Sequence, residues 1–239
     1  MERLKVSVLL VAGAGEGLGR SIALRFARER YSVALAARDK DKLGALAKEA
    51  GARAFPADLS DESQVVALYD GVEKGLGPID AVAFVAATRV QAPFAETTLE
   101  DFERSWRQSC ASGFLVAREA ARRMLPRGRG TVIFTGASGS IRGEPGFAAF
   151  AAAKGGLRFM AQSMARELGP KGIHVATVLL NGAIDSKMMW RDYRGRMEKL
   201  GTDGALAPDA VADAYWQLHN QPRNAWTFEL DLRPWSQSF

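Results

Sequence analysis

The segment Gly13-Ala14-Gly15-Glu16-Gly17-Leu18-Gly19 carries the clearest chemistry in the 239-residue chain. Glycine has no side chain, so the N–H groups of such a turn can come within hydrogen-bonding distance of a phosphate. Gly13, Gly17 and Gly19 follow the spacing G-x-x-x-G-x-G rather than the commoner dinucleotide pattern G-x-G-x-x-G. A second pair lies in Phe150-Ala151-Ala152-Ala153-Lys154. At helical spacing Phe150 and Lys154 share a face, which sets an ammonium beside a ring that can neither give nor take a proton. Arg38, in Ala36-Ala37-Arg38-Asp39, is either a cation for a phosphate or a solvated turn residue. Cys110 is the single cysteine, and His174 and His219 stand far apart. These counts exclude an intramolecular disulfide and predict no metal site. Cys110 falls near Trp106 and Gly113 within a helical stretch, which suits a small buried hydrophobe better than a nucleophile.

The elements that would position these groups follow from periodicity. Residues 5–12 form a nearly unbroken apolar run, as in a strand covered on both faces. Leu18, Ile22 and Phe26 then recur at helical spacing. Further strands are predicted at 32–37, 52–56, 79–86, 131–135, 174–180 and 226–230, and helices at 40–50, 62–74, 99–124, 147–168 and 208–219. Ser60 is a plausible N-cap, Thr98 with Asp101 a capping box, and Gly75 and Gly169 plausible stops. This alternation predicts a Rossmann-type, doubly wound, mostly parallel α/β sheet of seven strands over 1–239 as one domain, with phosphates at the glycine turn and substrate over the strands' carboxyl ends. The net charge of +5 is dispersed, and Arg122, Arg123, Arg127 and Arg129 read as a solvated helix end, so no nucleic-acid partner is expected. Nor is a membrane partner, because residues 1–13 are too short and wrongly flanked for a signal peptide or a spanning helix. A cytoplasmic protein is the expectation.

On its glycine spacing the chain resembles the short-chain dehydrogenase/reductase family, and the resemblance extends over nearly its whole length. It implies a dinucleotide site formed by Gly13, Gly15, Glu16, Gly17, Leu18, Gly19 and Arg38, with Asp58 and Leu59 after the third strand and Ala86 after the fourth. Gly182 and Ile184 belong to Asn181-Gly182-Ala183-Ile184-Asp185-Ser186, which is similar to the family's segment beside the nicotinamide. Lys154 matches the family's lysine, which binds the nicotinamide ribose and lowers the pKa of a catalytic tyrosine. Phe150 stands where that tyrosine would be, and Phe147 occupies the alternative position seven residues before the lysine. Ala137 falls at the catalytic serine, with Ser138 adjacent and Ser140 close by; Ser109 falls at the asparagine of the long helix.

Arg38 favours NADP(H), whereas Glu16 and Asp39 speak for NAD(H). Residues 186–204 correspond to a substrate lid with an apolar wall and a basic outer face, and Tyr193 is the tyrosine there that could replace the missing proton donor. The resemblance also implies a homodimer or homotetramer joined through helices 99–124 and 147–168, with Ala111, Ser112, Ala117, Ala120 and Ala121 permitting close approach. The leading expectation is an NAD(P)(H)-dependent oxidoreductase acting on a small carbonyl or alcohol through a non-standard proton relay. The alternative is a non-catalytic dinucleotide-binding sensor or scaffold.

Overall fold

The computed structural model describes residues 7–237. Lys5 and Val6 of the first apolar run, and the start of the segment read against a signal peptide, lie outside the described residues. Strands β1 (Val8–Ala12), β2 (Ser32–Ala37), β3 (Arg53–Pro56), β4 (Ile79–Phe84), β5 (Gly130–Ala137), β6 (Ile173–Leu180) and β7 (Glu229–Leu232) form one sheet. Its order is β3-β2-β1-β4-β5-β6-β7. Every neighbouring pair is parallel, so the expected seven-stranded sheet is fully parallel. The winding direction reverses between β1 and β4, which opens a crevice at their carboxyl ends.

Alternation along the strands separates two cores. Val8, Leu10 and Ala12 face the layer of α3 (Glu62–Leu76), α5 (Ser112–Met124) and α6 (Ala148–Leu168). Leu9 and Val11 face α1 (Leu18–Arg28), α2 (Lys40–Ala50) and α9 (Pro208–His219). The first layer is filled by Tyr69, Phe84, Phe134 and Leu157, the second by Ile22, Phe26, Leu43 and Tyr215.

Cap chemistry decides several boundaries. Asp39 accepts the Lys42 N–H at 3.0 Å, and Gly51 at φ 62° ends α2, so this helix matches its predicted span. In α3 the N-cap is Asp61 rather than Ser60, because its carboxylate accepts both the Ser63 and Gln64 N–H groups. That helix runs past Gly75 to Gly77, and the Gly75 carbonyl accepts from Arg53 Nη1 at 2.9 Å. The last strand begins later than predicted, since Trp226 is taken up by stacking on His174 at 4.8 Å. The predicted helix 99–124 is α4 (Leu99–Trp106) and α5 joined by a π-helical turn, Arg107–Ala111.

Two surface readings need correction. The arginine cluster is ion-paired rather than merely solvated: Arg123 reaches Asp70, Glu73 and Glu119, and Arg127 reaches Asp80. Ser112, Ala117 and Ala120 are buried within the chain itself, so they offer no seam to a second copy. Exposed instead along these helices are Phe102, Trp106, Phe114 and Phe159. Among the described residues no helix is long and apolar enough to cross a membrane.

Candidate active site

The glycine turn lies at the sheet's point of reversal. Gly13 adopts φ 92°, and a Cβ there would sit 2.5 Å from the Ala86 backbone nitrogen, so both conformation and close approach require glycine. A Cβ at Gly19 would press to 2.9 Å on Ala14, which fixes how closely α1 follows the turn. Around Gly15 there is open space. Gly17 caps α1 without a side-chain acceptor, and the first turn holds no acidic residue. The N–H groups and positive dipole end of α1 therefore face a gap suited to a pyrophosphate. Glu16 is exposed and only 3.9 Å from Lys187 of the lid, a solvated pair that contributes little.

Beside the turn lies a cavity of about 330 Å³ lined by Gly13, Arg38, Asp58, Leu59 and Ala86, all expected from sequence. The Asp58 carboxylate accepts from Ser60 N at 2.9 Å and Ser60 Oγ at 2.7 Å. These bonds, with help from the Arg38 charge, hold it below the usual carboxylate range. Asp39 also lines the cavity, but its carboxylate is engaged at the start of α2; Arg38 stands exposed beside it. Arg38 is thus the exposed cation at this end of the cavity, and the Asp39 carboxylate is already occupied.

At the far end of the crevice Lys154 is 3% exposed, and its ammonium donates to the Thr135 carbonyl at 2.7 Å. Burial pushes its pKa down to about 8. The Thr135 hydroxyl donates to Phe84 O at 2.8 Å and accepts from the Tyr215 hydroxyl at 2.6 Å, which locks the strand end that Lys154 grips. Phe150 is half-buried, with its ring edge 3.1 Å from where a Gly139 Cβ would be.

The two serines differ. Ser140 Oγ is buried and accepts the Ala137 N–H at 3.0 Å, whereas the half-buried Ser138 hydroxyl has no partner among the described residues. Ser109 is carried on the π-helical turn and accepts the Thr88 N–H at 3.1 Å, pinning the loop after β4. Cys110 is buried, and the apolar surroundings raise its pKa. Three tyrosines are committed elsewhere: Tyr69 donates to Val116 O, Tyr215 to Thr135, and Tyr31 shares a hydrogen bond with His219.

The segment 186–204 forms α7 (Lys187–Asp192) and α8 (Arg194–Leu200), with Met189 and Met197 turned inward and Lys187, Arg191 and Arg196 exposed. Ser186 caps α7, and Ile184 bridges to Leu206 to anchor the segment. A Cβ at Gly182 would lie 2.7 Å from Pro234, so the carboxyl-terminal stretch rests on the same strand end. The buried Asn181 donates to Asp231 at 2.7 Å, while its Oδ1 lacks a partner among the described residues. Tyr193 lies between α7 and α8, and the Arg89 guanidinium carbon is 5.2 Å from its ring centre. Sequence reasoning missed Arg89; the available signal was an arginine in the loop just beyond a central strand's carboxyl end.

Residues 7–196 match the model of the short chain dehydrogenase family. The chain is 37% identical over 177 residues to a short-chain dehydrogenase/reductase of Armillaria gallica, covering 70% of this chain and 67% of that one. It is 33% identical over 174 residues to a carbonyl reductase [NADPH] of Sus scrofa, covering 71% and 68% respectively. The crystal structure of a short-chain dehydrogenase from Rhodopseudomonas palustris superposes with a TM-score of 0.81 at 40% identity, over 96% of this chain and 99% of that one.

Proposed function

Because the chain belongs to the short-chain dehydrogenase/reductase family, we propose that it moves hydride between NADP(H) and a small carbonyl or alcohol, with Lys154 rather than a tyrosine as the source of the proton. The observation that carries this reading is the buried Lys154 ammonium beside Phe150, its pKa lowered to about 8. A group that titrates near the working pH is suited to general acid catalysis. In the reducing direction the bound nicotinamide supplies the hydride, and the carbonyl oxygen takes one proton to become a hydroxyl.

The chain's own residues do the rest. Gly13, Gly15, Gly17 and Gly19, with the amides of Glu16 and Leu18, hold the pyrophosphate. Asp58 and Leu59 flank the adenine, and Ala86 closes the wall behind it. Arg38 meets the 2′-phosphate, which is why NADP(H) is preferred over NAD(H); the NADPH named for the pig carbonyl reductase is consistent with this choice. Gly182 and Ile184 border the nicotinamide. Ser138 donates to the oxyanion as charge develops there, and a water relays the proton from Lys154. Ser140 sets the Ser138 turn through its bond to Ala137. Tyr193 serves as part of the lid wall and not as the donor, since its ring is covered by Arg89.

We further read the protein as cytoplasmic and as a homodimer or homotetramer. The exposed aromatic side chains on α4, α5 and α6 support self-association, and a monomeric mass by light scattering would reject it.

Phe150 favours one rival reading, a non-catalytic dinucleotide binder, because the position lacks any group that exchanges a proton. Fluorescence titration with NADPH and NADH, followed by a panel of aldehydes, ketones and alcohols monitored by nicotinamide absorbance, separates the two. Tight binding with turnover is expected. Tight binding without turnover across the panel would hand the protein to the sensor or scaffold reading, and no binding would reject both.

A further inference from the structure

Arg89 is the exposed cation of the crevice that nothing above employs. It lies in the loop following β4, which is tied down at both ends: Thr88 N–H donates to Ser109 Oγ at 3.1 Å, and Ala92 N–H to Gly146 O at 3.0 Å. Its guanidinium carbon lies 4.5 Å from the Phe147 ring centre and 5.2 Å from that of Tyr193. Phe147 is the N-cap of α6, one helical turn ahead of Phe150, and Tyr193 belongs to the lid. Arg89 is therefore held between the start of the catalytic helix and the lid, at the mouth of the space where a substrate would enter. Ring stacking occupies the faces of a guanidinium and leaves its planar edge of N–H donors available.

The electrostatic setting of Arg89 differs from that of the ion-paired arginines. Arg20, Arg25, Arg118, Arg123, Arg127 and Arg158 each reach a carboxylate. Among the described residues no carboxylate lies within 4.0 Å of Arg89 or of Arg196 on α8. Burial pushes the Arg89 guanidinium below its ordinary value; Tyr193 acts against that, and the like charge of Arg196 adds to it. Two like charges from separate elements, converging without a counter-ion, lower their energy by taking up an anion.

We propose that Arg89, with Arg196 across the crevice, receives an anionic group on the substrate, a carboxylate or a phosphate monoester, while Phe147 and Tyr193 hold the guanidinium in the plane that gives a two-pronged contact. The proposal rests on the oxidoreductase reading and narrows its substrate class. An acid-bearing carbonyl compound would be oriented by Arg89 at one end and by Ser138 at the other, which fixes the face presented for hydride transfer.

The test uses the full chain, with and without saturating NADPH, titrated calorimetrically with benzoate, phenyl phosphate and benzamide. One of the two anions is expected to bind at least about tenfold more tightly than neutral benzamide. In Arg89→Met that preference should fall to about twofold or less, in Arg196→Met it should fall part of the way, and in Arg89→Lys an intermediate preference should survive. Preferential binding of benzoate assigns the site to carboxylates, and of phenyl phosphate to phosphate esters. The proposal is overturned if wild type shows no anion preference, if Arg89→Met keeps it, or if Arg89→Met weakens NADPH binding in parallel, since the cation would then serve the cofactor. Arg89→Lys retains the charge and supplies the comparison should Arg89→Met fold poorly. Failure to bind NADPH sinks the oxidoreductase reading alone, because the anion titration needs neither cofactor nor turnover.

Discussion

Beside β1, β2 and β3 the crevice is lined by backbone and turn chemistry: bare amides at Gly13 to Gly19, a carboxylate fixed by Ser60, and an arginine at a strand end. Beside β5, α6 and the lid it is lined by side chains, and there the chain holds phenylalanine, a free serine and a desolvated lysine. The first region depends on conformations that few residues can adopt, so its geometry tolerates little substitution. The second depends on which functional group projects into the space, so exchanging one ring for another alters chemistry while leaving the fold intact. The two regions therefore offer separate handles on binding and on turnover.

The largest effect should come from breaking the backbone region. Gly13→Ala sets a Cβ onto Ala86 at a positive φ, and a loss of about 3–4 kcal/mol in urea unfolding, together with loss of NADPH binding, is expected. Retained affinity would show that the turn can shift. Lys154→Met should move stability the other way while removing activity. Turnover should fall by about a hundredfold or more, while removal of a desolvated ammonium raises Tm by about 5 °C, read by calorimetry at neutral pH.

The sign of the pH dependence follows from the same lysine. Its pKa in the fold, about 8, lies below its ordinary value of 10.5, so between those limits the unfolded chain binds more protons and stability rises with pH. Carbonyl reduction needs the protonated form, so kcat should decline as pH rises through about 8, and Lys154→Arg should lack that limb. The smallest effect concerns cofactor choice. Arg38→Gln should weaken NADPH about tenfold and leave NADH unchanged, a difference visible by fluorescence titration.

The sequence made the scaffold legible wherever local chemistry and tertiary structure agree. The span 40–50 is read to the residue because Asp39 starts that helix and Gly51 stops it through contacts internal to the segment. Agreement fades where a distant partner decides. Asp61 displaced Ser60 as a cap, Arg53 sits on the carbonyl of the predicted stop Gly75, and Trp226 left its predicted strand to stack on His174. The π-helical turn that carries Ser109 has no periodic signature and arises in a stretch that reads as one long helix. In the candidate site, the glycine turn itself was legible from spacing alone, since it does lie between β1 and α1. Ser138 and Ser140 could not be told apart, because their difference is one hydrogen bond from Ala137. Arg89 escaped notice because its significance depends on Phe147 and Tyr193, which are remote in sequence.

The contact between Pro234 and Gly182 has a practical consequence for anyone observing the protein at work. Trp235, the next residue, is 83% exposed, and its neighbour rests against the carboxyl end of β6. An exposed fluorophore is therefore seated one residue from that contact, and removing Trp106, Trp190, Trp216 and Trp226 would leave it as the sole indole reporting there. By the same token, a bulky label attached at Trp235 itself would bear on the contact it was meant to report.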